Sequence, residues 1–184
     1  MALIRTKEVE LGFNAPGFQL PEPKSNKTRS LKELKGKKGT LVMFICNHCP
    51  YVIHLIKVIV EVAKEYSPKG ISFVAINSND VINYPDDSPD KMIEFADLNK
   101  FPFPYLYDES QQVAKNYFAE CTPDFNLIDN HGKVIYRGRF DAATPGNNNP
   151  VNGADLKDAL DRIIEAEPQV TNQIPSMGCS IKWK

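Results

Sequence analysis

A chain of 184 residues with 42% hydrophobic and 24% charged residues has the balance of a globular domain with extensions. A net charge of −1 supplies no field that would steer the chain onto nucleic acid or a membrane surface. No apolar run approaches the ~20 residues that a bilayer span needs, and the opening MALIRTKEVELGF lacks the apolar core of a secretory signal, so a cytoplasmic location is expected.

Residues 1–39 read as a leading segment, interrupted by Gly12, Pro16, Gly17, Pro21 and Pro23. Ser30 is placed to cap a short turn through Lys35. From Lys24 to Lys38, seven basic residues stand against Glu33 alone; with few aromatics among them, they read as a solvated loop and not as a nucleic-acid surface. Leu41–Cys46 is a short apolar run suited to a strand buried on both faces. A helix is predicted over Pro50–Tyr66, with His54, Lys57, Glu61 and Lys64 forming one wet stripe and Pro68 and Gly70 ending it. Ile71–Ile76 is a second buried strand, and strand-helix-strand with short links predicts a right-handed parallel crossover.

Asn77–Ser88 reads as a polar loop. Ser88 or Asp87 then caps a helix to about Leu98, with Met92, Ile93, Phe95 and Ala96 facing inward. Phe101–Tyr107 leads to a short helix near Ser110–Tyr117. Asp124–Ile128 and Lys133–Arg137 flank Asn130-His131-Gly132 as an antiparallel hairpin, with His131 a turn residue. Ala154–Glu165 is the last helix, and residues 167–184 form a tail with no clear element. The order predicts an α/β fold of thioredoxin type: a central mixed β-sheet flanked by helices, with an N-terminal extension (1–39), a core (40–166) and a C-terminal tail (167–184) in one domain.

Four cysteines, Cys46, Cys49, Cys121 and Cys179, are too few to staple a chain of this length, which leaves buried thiols, metal ligands or redox groups. Cys49 follows the first buried strand and precedes Pro50, a residue at ease in the first helical position. Cys49 thus falls at the helix cap, where free N–H groups and the positive helix end favour a thiolate. His48 beside it adds positive charge when protonated. This is the setting of a nucleophilic cysteine. Cys46 completes a formal C-x-x-C but sits at the strand end, which leaves it a resolving partner, a structural thiol or a metal ligand. A metal site drawn from Cys46, His48 and Cys49 has no obvious fourth ligand, so neither metal nor other cofactor is expected. Cys121 precedes Thr122-Pro123; in the thioredoxin arrangement Pro123 is cis, its loop faces the nucleophile, and Thr122 presents backbone groups to substrate. Cys179, in PSMGC, is a resolving thiol if the tail folds over the site.

Ala15-Pro16-Gly17-Phe18-Gln19-Leu20, with LVMFICNHCPYV, FVAINSND, PFPYLYDE, CTPDFNLID, YRGRFD and PSMGCSIKWK, resembles a peroxiredoxin-like branch of the thioredoxin superfamily, within the alkyl hydroperoxide reductase/thiol-specific antioxidant family. The resemblance runs over nearly the whole chain. It implies a thioredoxin fold, a cis Pro123 and Cys49 as the attacking cysteine, with Val52 where the second cysteine of the usual redox motif would fall. Peroxiredoxins carry Thr or Ser where this chain has Cys46, and Arg137 and Arg139 are the candidates for their assisting arginine. The first functional reading is a thiol-disulfide oxidoreductase acting on protein or low-molecular-weight disulfides, with Cys121, Cys46 or Cys179 resolving and Pro50, His48, Thr122 and Pro123 around the substrate. The second is a thiol peroxidase acting on hydroperoxides. The third is a metal-binding or redox-inert adaptor on the same fold. A long apolar helix and a tail permit a homodimer.

Overall fold

A computed structural model describes residues 3–184. Its centre is a five-stranded sheet in the order β6-β5-β4-β8-β9. The strands are β4 (Gly39–Phe44), β5 (Ile71–Asn77), β6 (Tyr105–Tyr107), β8 (Asp124–Asp129) and β9 (Val134–Tyr136). β4 lies in the middle, parallel to β5 (Leu41 opposite Phe73) and antiparallel to β8 (Leu41 opposite Leu127). Every β4 residue is buried, as expected of a strand covered on both faces.

Alternation along β4 divides the core. Leu41 and Met43 pack with α1 (Pro50–Tyr66), α2 (Pro89–Leu98) and α4 (Ala154–Glu165), while Val42 and Phe44 pack with α3 (Gln112–Asn116) and the leading segment through Phe18 and Leu20. α1 buries Val52, Leu55, Ile56, Ile59 and Val60 among others, each worth about 1.5–3 kcal/mol against exposure. Its exit is a short 3₁₀ turn closed by Gly70 at φ 98°, a left-handed conformation in which a side chain would be strained. Among the described residues no helix is long and apolar enough to cross a membrane.

The chain ends depart from the sequence expectation. Within the basic stretch read as a solvated loop, Lys27–Ser30 forms β3, paired in a hairpin with the preceding β2 (Gln19–Glu22), whose Leu20 is buried. Ser30 does cap the next turn: its Oγ accepts from the Glu33 N–H, and the Glu33 carboxylate accepts from the Ser30 N–H. The tail read as lacking structure contains β10 (Met177–Ser180). It forms a separate antiparallel sheet in the order β1-β10-β7 with β1 (Leu3–Arg5) and β7 (Cys121–Thr122). Both extensions therefore meet at the segment that precedes Pro123.

Candidate active site

The loop between β4 and α1 is pinned before it reaches the helix. The Asn47 N–H donates to Asp87 Oδ1 (2.8 Å), and Asn47 Oδ1 accepts from the Tyr105 hydroxyl (3.0 Å). Cys49 then occupies the cap of α1 in extended conformation, with Pro50 opening the helix and the Ile53 N–H bonded to the Cys49 carbonyl (2.9 Å). Across from it the Thr122–Pro123 peptide is cis. The Thr122 carbonyl oxygen stands 3.2 Å from Cys49 Sγ, and Thr122 Oγ1 stands 3.3 Å from Cys46 Sγ.

β10 closes the site from above. Its register sets Cys179 opposite Thr122, and Cys179 Sγ is 2.7 Å from Cys49 Sγ. Gly178 makes this approach feasible, since a Cβ there would lie 2.0 Å from the Thr122 carbonyl oxygen. Cys49 is fully buried and Cys179 nearly so, so any attack on an outside molecule requires β10 to lift. Cys121, on β7, turns elsewhere: its sulfur meets Thr6 Oγ1 at 3.4 Å.

The electrostatics separate these four thiols. A hydrogen bond from Cys46 is the largest influence on Cys49; with those from the Cys179 thiol and the Val52 and Cys179 N–H groups it outweighs burial and lowers the Cys49 pKa to about 5. Cys46 is raised, first by that same bond to the Cys49 sulfur and then by its own burial. Burial and the bond to Cys49 push Cys179 up to about 12, and burial pushes Cys121 far up. Among the four, Cys49 is thus the thiol whose surroundings favour the thiolate.

Asp87 organises the other flank. It is fully buried and accepts from Asn47 N–H and from Asn79 Nδ2 (2.7 Å). His48 Nδ1 lies 2.7 Å from Asp87 Oδ2, an ion pair when the ring is protonated. Asp87 raises the His48 pKa against partial burial. The His48 ring stacks over Tyr84, with centroids 6.0 Å apart, and Lys182 Nζ lies 5.5 Å from the same Tyr84 ring.

Several expected residues sit apart from the thiolate. Arg137 is buried against Asp124 (3.6 Å) and donates to the Lys7 and Phe118 carbonyls; Arg139 pairs with Asp155. Val52 packs in the core where a second redox cysteine would otherwise stand. His54, expected in the wet stripe, is half-buried with Nε2 shut off from solvent; Ile53, one residue and about 100° around the helix, takes the exposed place instead. Asp87, Asn79 and Lys182 were not singled out from the sequence as site residues, although FVAINSND and the tail string contain two of them. A pocket of about 130 Å³ is walled by Tyr51, Leu55, Pro123, Phe125, Phe140 and Met177, with Arg5 and Arg139 also facing it.

The chain is similar to several known proteins. The solved structure of an uncharacterized conserved protein from Geobacillus kaustophilus is 47% identical, covers 100% of this chain and 97% of its own, and superposes with a TM-score of 0.98. That of a hypothetical protein from Sinorhizobium meliloti 1021 is 39% identical over 98% of each chain, with a TM-score of 0.95. The thiol-disulfide oxidoreductase ResA of Halalkalibacterium halodurans is 26% identical over 125 residues, 67% of this chain; the match spans 65% of that relative, just under two thirds of its length. The fold is thioredoxin-like. The Redoxin description matches residues 10–155, most of the chain and all of the Cys46–Pro123 arrangement, and the protein belongs to the Redoxin family.

Proposed function

We propose that the protein is a thiol-disulfide oxidoreductase in which Cys49 attacks and Cys179 resolves. The observation that carries this reading is the 2.7 Å separation of Cys49 Sγ and Cys179 Sγ at the N-terminus of α1. The Cys49 thiolate attacks one sulfur of a substrate disulfide; the Cys49–substrate bond forms, the substrate S–S bond breaks, and the departing thiolate takes a proton. Cys179, losing its proton, then attacks Cys49 Sγ. The second substrate thiol leaves and a Cys49–Cys179 disulfide remains, so two electrons have passed from protein to substrate. A thiol reductant of the same compartment restores the dithiol. Cys46 stays reduced and holds the Cys49 thiolate through its hydrogen bond, while Cys121 takes no part. The substrate class is a protein or low-molecular-weight disulfide, approaching between His48-Pro50 and Thr122-Pro123.

Insulin reduction with trapping tests this. Cys49→Ser is expected to abolish turnover, and Cys179→Ser to accumulate a mixed disulfide at Cys49, seen as a mass increase that dithiothreitol removes. Full activity of Cys49→Ser overturns the reading, and unchanged turnover of Cys179→Ser removes Cys179 from it.

A peroxidase reading is favoured by the same pre-placed pair. A hydroperoxide would convert the Cys49 thiolate to a sulfenic acid with release of an alcohol, and Cys179 would condense with it, releasing water and leaving the same disulfide. Peroxide consumption by the reduced protein no faster than by free cysteine rejects it.

A further inference from the structure

Cys46, His48 and Cys49 are three donors that the sequence leaves without a fourth. The fold brings Asp87 to the gap. Cys46 Sγ, His48 Nδ1 and an Asp87 carboxylate oxygen all lie within 4.8 Å of one another. Cys49, at the adjoining helix cap and 2.7 Å from Cys179, lies outside that set of three and would complete it by turning away from Cys179. A tetrahedral ion with bonds of about 2.0–2.3 Å sets its ligand atoms roughly 3.3–3.8 Å apart, closer than the 4.8 Å that bounds the three here, so binding requires the cluster to contract.

Two further observations point to a cation. His48 Nδ1 is shut off from solvent and faces Asp87 Oδ2 at 2.7 Å, so two of the donor atoms already stand together inside the cluster. Asp87 is fully buried, yet among the described residues its ionic contact is with His48 alone, with no guanidinium or ammonium beside it. The supporting shell is in place: Asn79 Nδ2 holds Asp87 Oδ2 at 2.7 Å, the Asn47 N–H holds the other oxygen at 2.8 Å, and Thr122 Oγ1 is 3.3 Å from Cys46 Sγ. The partly exposed His48 side chain leaves a way in.

We propose that Cys46, His48, Cys49 and Asp87 form a binding site for zinc. Two sulfurs, an imidazole and one carboxylate oxygen suit a borderline tetrahedral cation and not the hard oxygen-seeking Mg²⁺ or Ca²⁺. Binding displaces protons and changes no oxidation state. The site shares Cys49 with the redox reading and to that extent rests on it: a Cys49 sulfur held by zinc cannot attack a disulfide, and one locked to Cys179 cannot hold zinc. Cys179 is outside the site.

The reduced full-length chain is titrated with zinc chloride against a chromophoric chelator, and with cobalt chloride as a spectroscopic stand-in. One ion per chain is expected, with the intense visible bands of tetrahedral cobalt and a sulfur-to-cobalt charge-transfer band. Cys46→Ser, His48→Gln and Asp87→Asn are each expected to weaken zinc binding about tenfold or more. Cys179→Ser is expected to bind zinc within about twofold of the parent while failing to resolve a disulfide, which separates the two proposals. If Asp87→Asn does not fold, Cys46→Ser and the cobalt spectrum decide. Unchanged affinity in Cys46→Ser, a weak octahedral cobalt spectrum, or loss of binding in Cys179→Ser each overturn the site, the last by assigning the metal to the Cys49–Cys179 pair. Zinc bound as described by a protein without reductase activity leaves the site standing and removes the redox reading.

Discussion

A methyl group at position 178 would need space already occupied by the Thr122 carbonyl oxygen, 2.0 Å from where its carbon would sit. Gly178→Ala therefore displaces β10 from β7 or strains both, at a cost of about 1–3 kcal/mol. Urea unfolding should show that loss, and acid-quenched labelling should show slower Cys49–Cys179 closure; an unchanged closure rate would mean that this close approach does not seat the tail. Asp124 offers a test of a different kind. Burial raises its pKa from 3.8 to about 6, although Arg137, Thr6 and Asn126 all pull the other way. The folded chain thus binds more protons than the unfolded chain between those values, and stability falls as pH rises through them. Wild type should lose up to about 3 kcal/mol relative to Asp124→Asn between pH 4 and 7. The fixed offset between the two proteins depends on how Arg137 is left, so the slope is the quantity to read; a flat difference refutes the raised carboxyl.

At the scale of elements, the short sheet β1-β10-β7 decides access to the thiols. Leu3 pairs with Cys179 and Arg5 with Met177, while the Thr6 N–H bonds to the Ser176 carbonyl. Deleting residues 1–5 removes one neighbour of β10 and leaves the five-stranded core untouched. Cys179 in the reduced chain should then alkylate roughly tenfold faster, for about 1.4 kcal/mol of easier local opening, with the global urea midpoint nearly unchanged. Equal labelling rates would assign the cover to β7 contacts alone. This sheet is also what the sequence conceals. α1 and α4 have the bounds expected of them, because apolar periodicity and, for α1, Pro50 and Gly70 are local signals. β10 is four residues, Met-Gly-Cys-Ser, with no alternation, and its partners are three and two residues long. Their pairing spans nearly the whole chain, so no window along the sequence contains it. Asp87 was hidden for a related reason: an acid in a polar loop reads as solvated until Asn47 and Asn79, from two different strand ends, converge on it.

For the molecule as a whole, the central sheet is a rigid floor and the chemistry lies where its strands end. Both faces of β4 are filled, by α1, α2 and α4 on one side and by α3 with the leading segment on the other. The candidate thiols sit at the C-terminal end of that strand, where backbone N–H groups of α1 point outward. Cys49 and Cys179 are 130 residues apart. A bond between them would turn that length of chain into a ring, and a ring has far fewer ways to be unfolded. On the chain-entropy view the gain is roughly 5 kcal/mol, so the oxidised protein should melt on the order of 10 °C above the reduced one in calorimetry. Coincident melting temperatures would show either that the bond does not form or that the folded state resists it. The reciprocal follows from linkage: whatever the bond adds to the fold, the fold adds to the bond. The protein's strength as an electron donor would then reside in its tertiary structure and not in the sulfurs themselves, and heat that melts the core would discharge it.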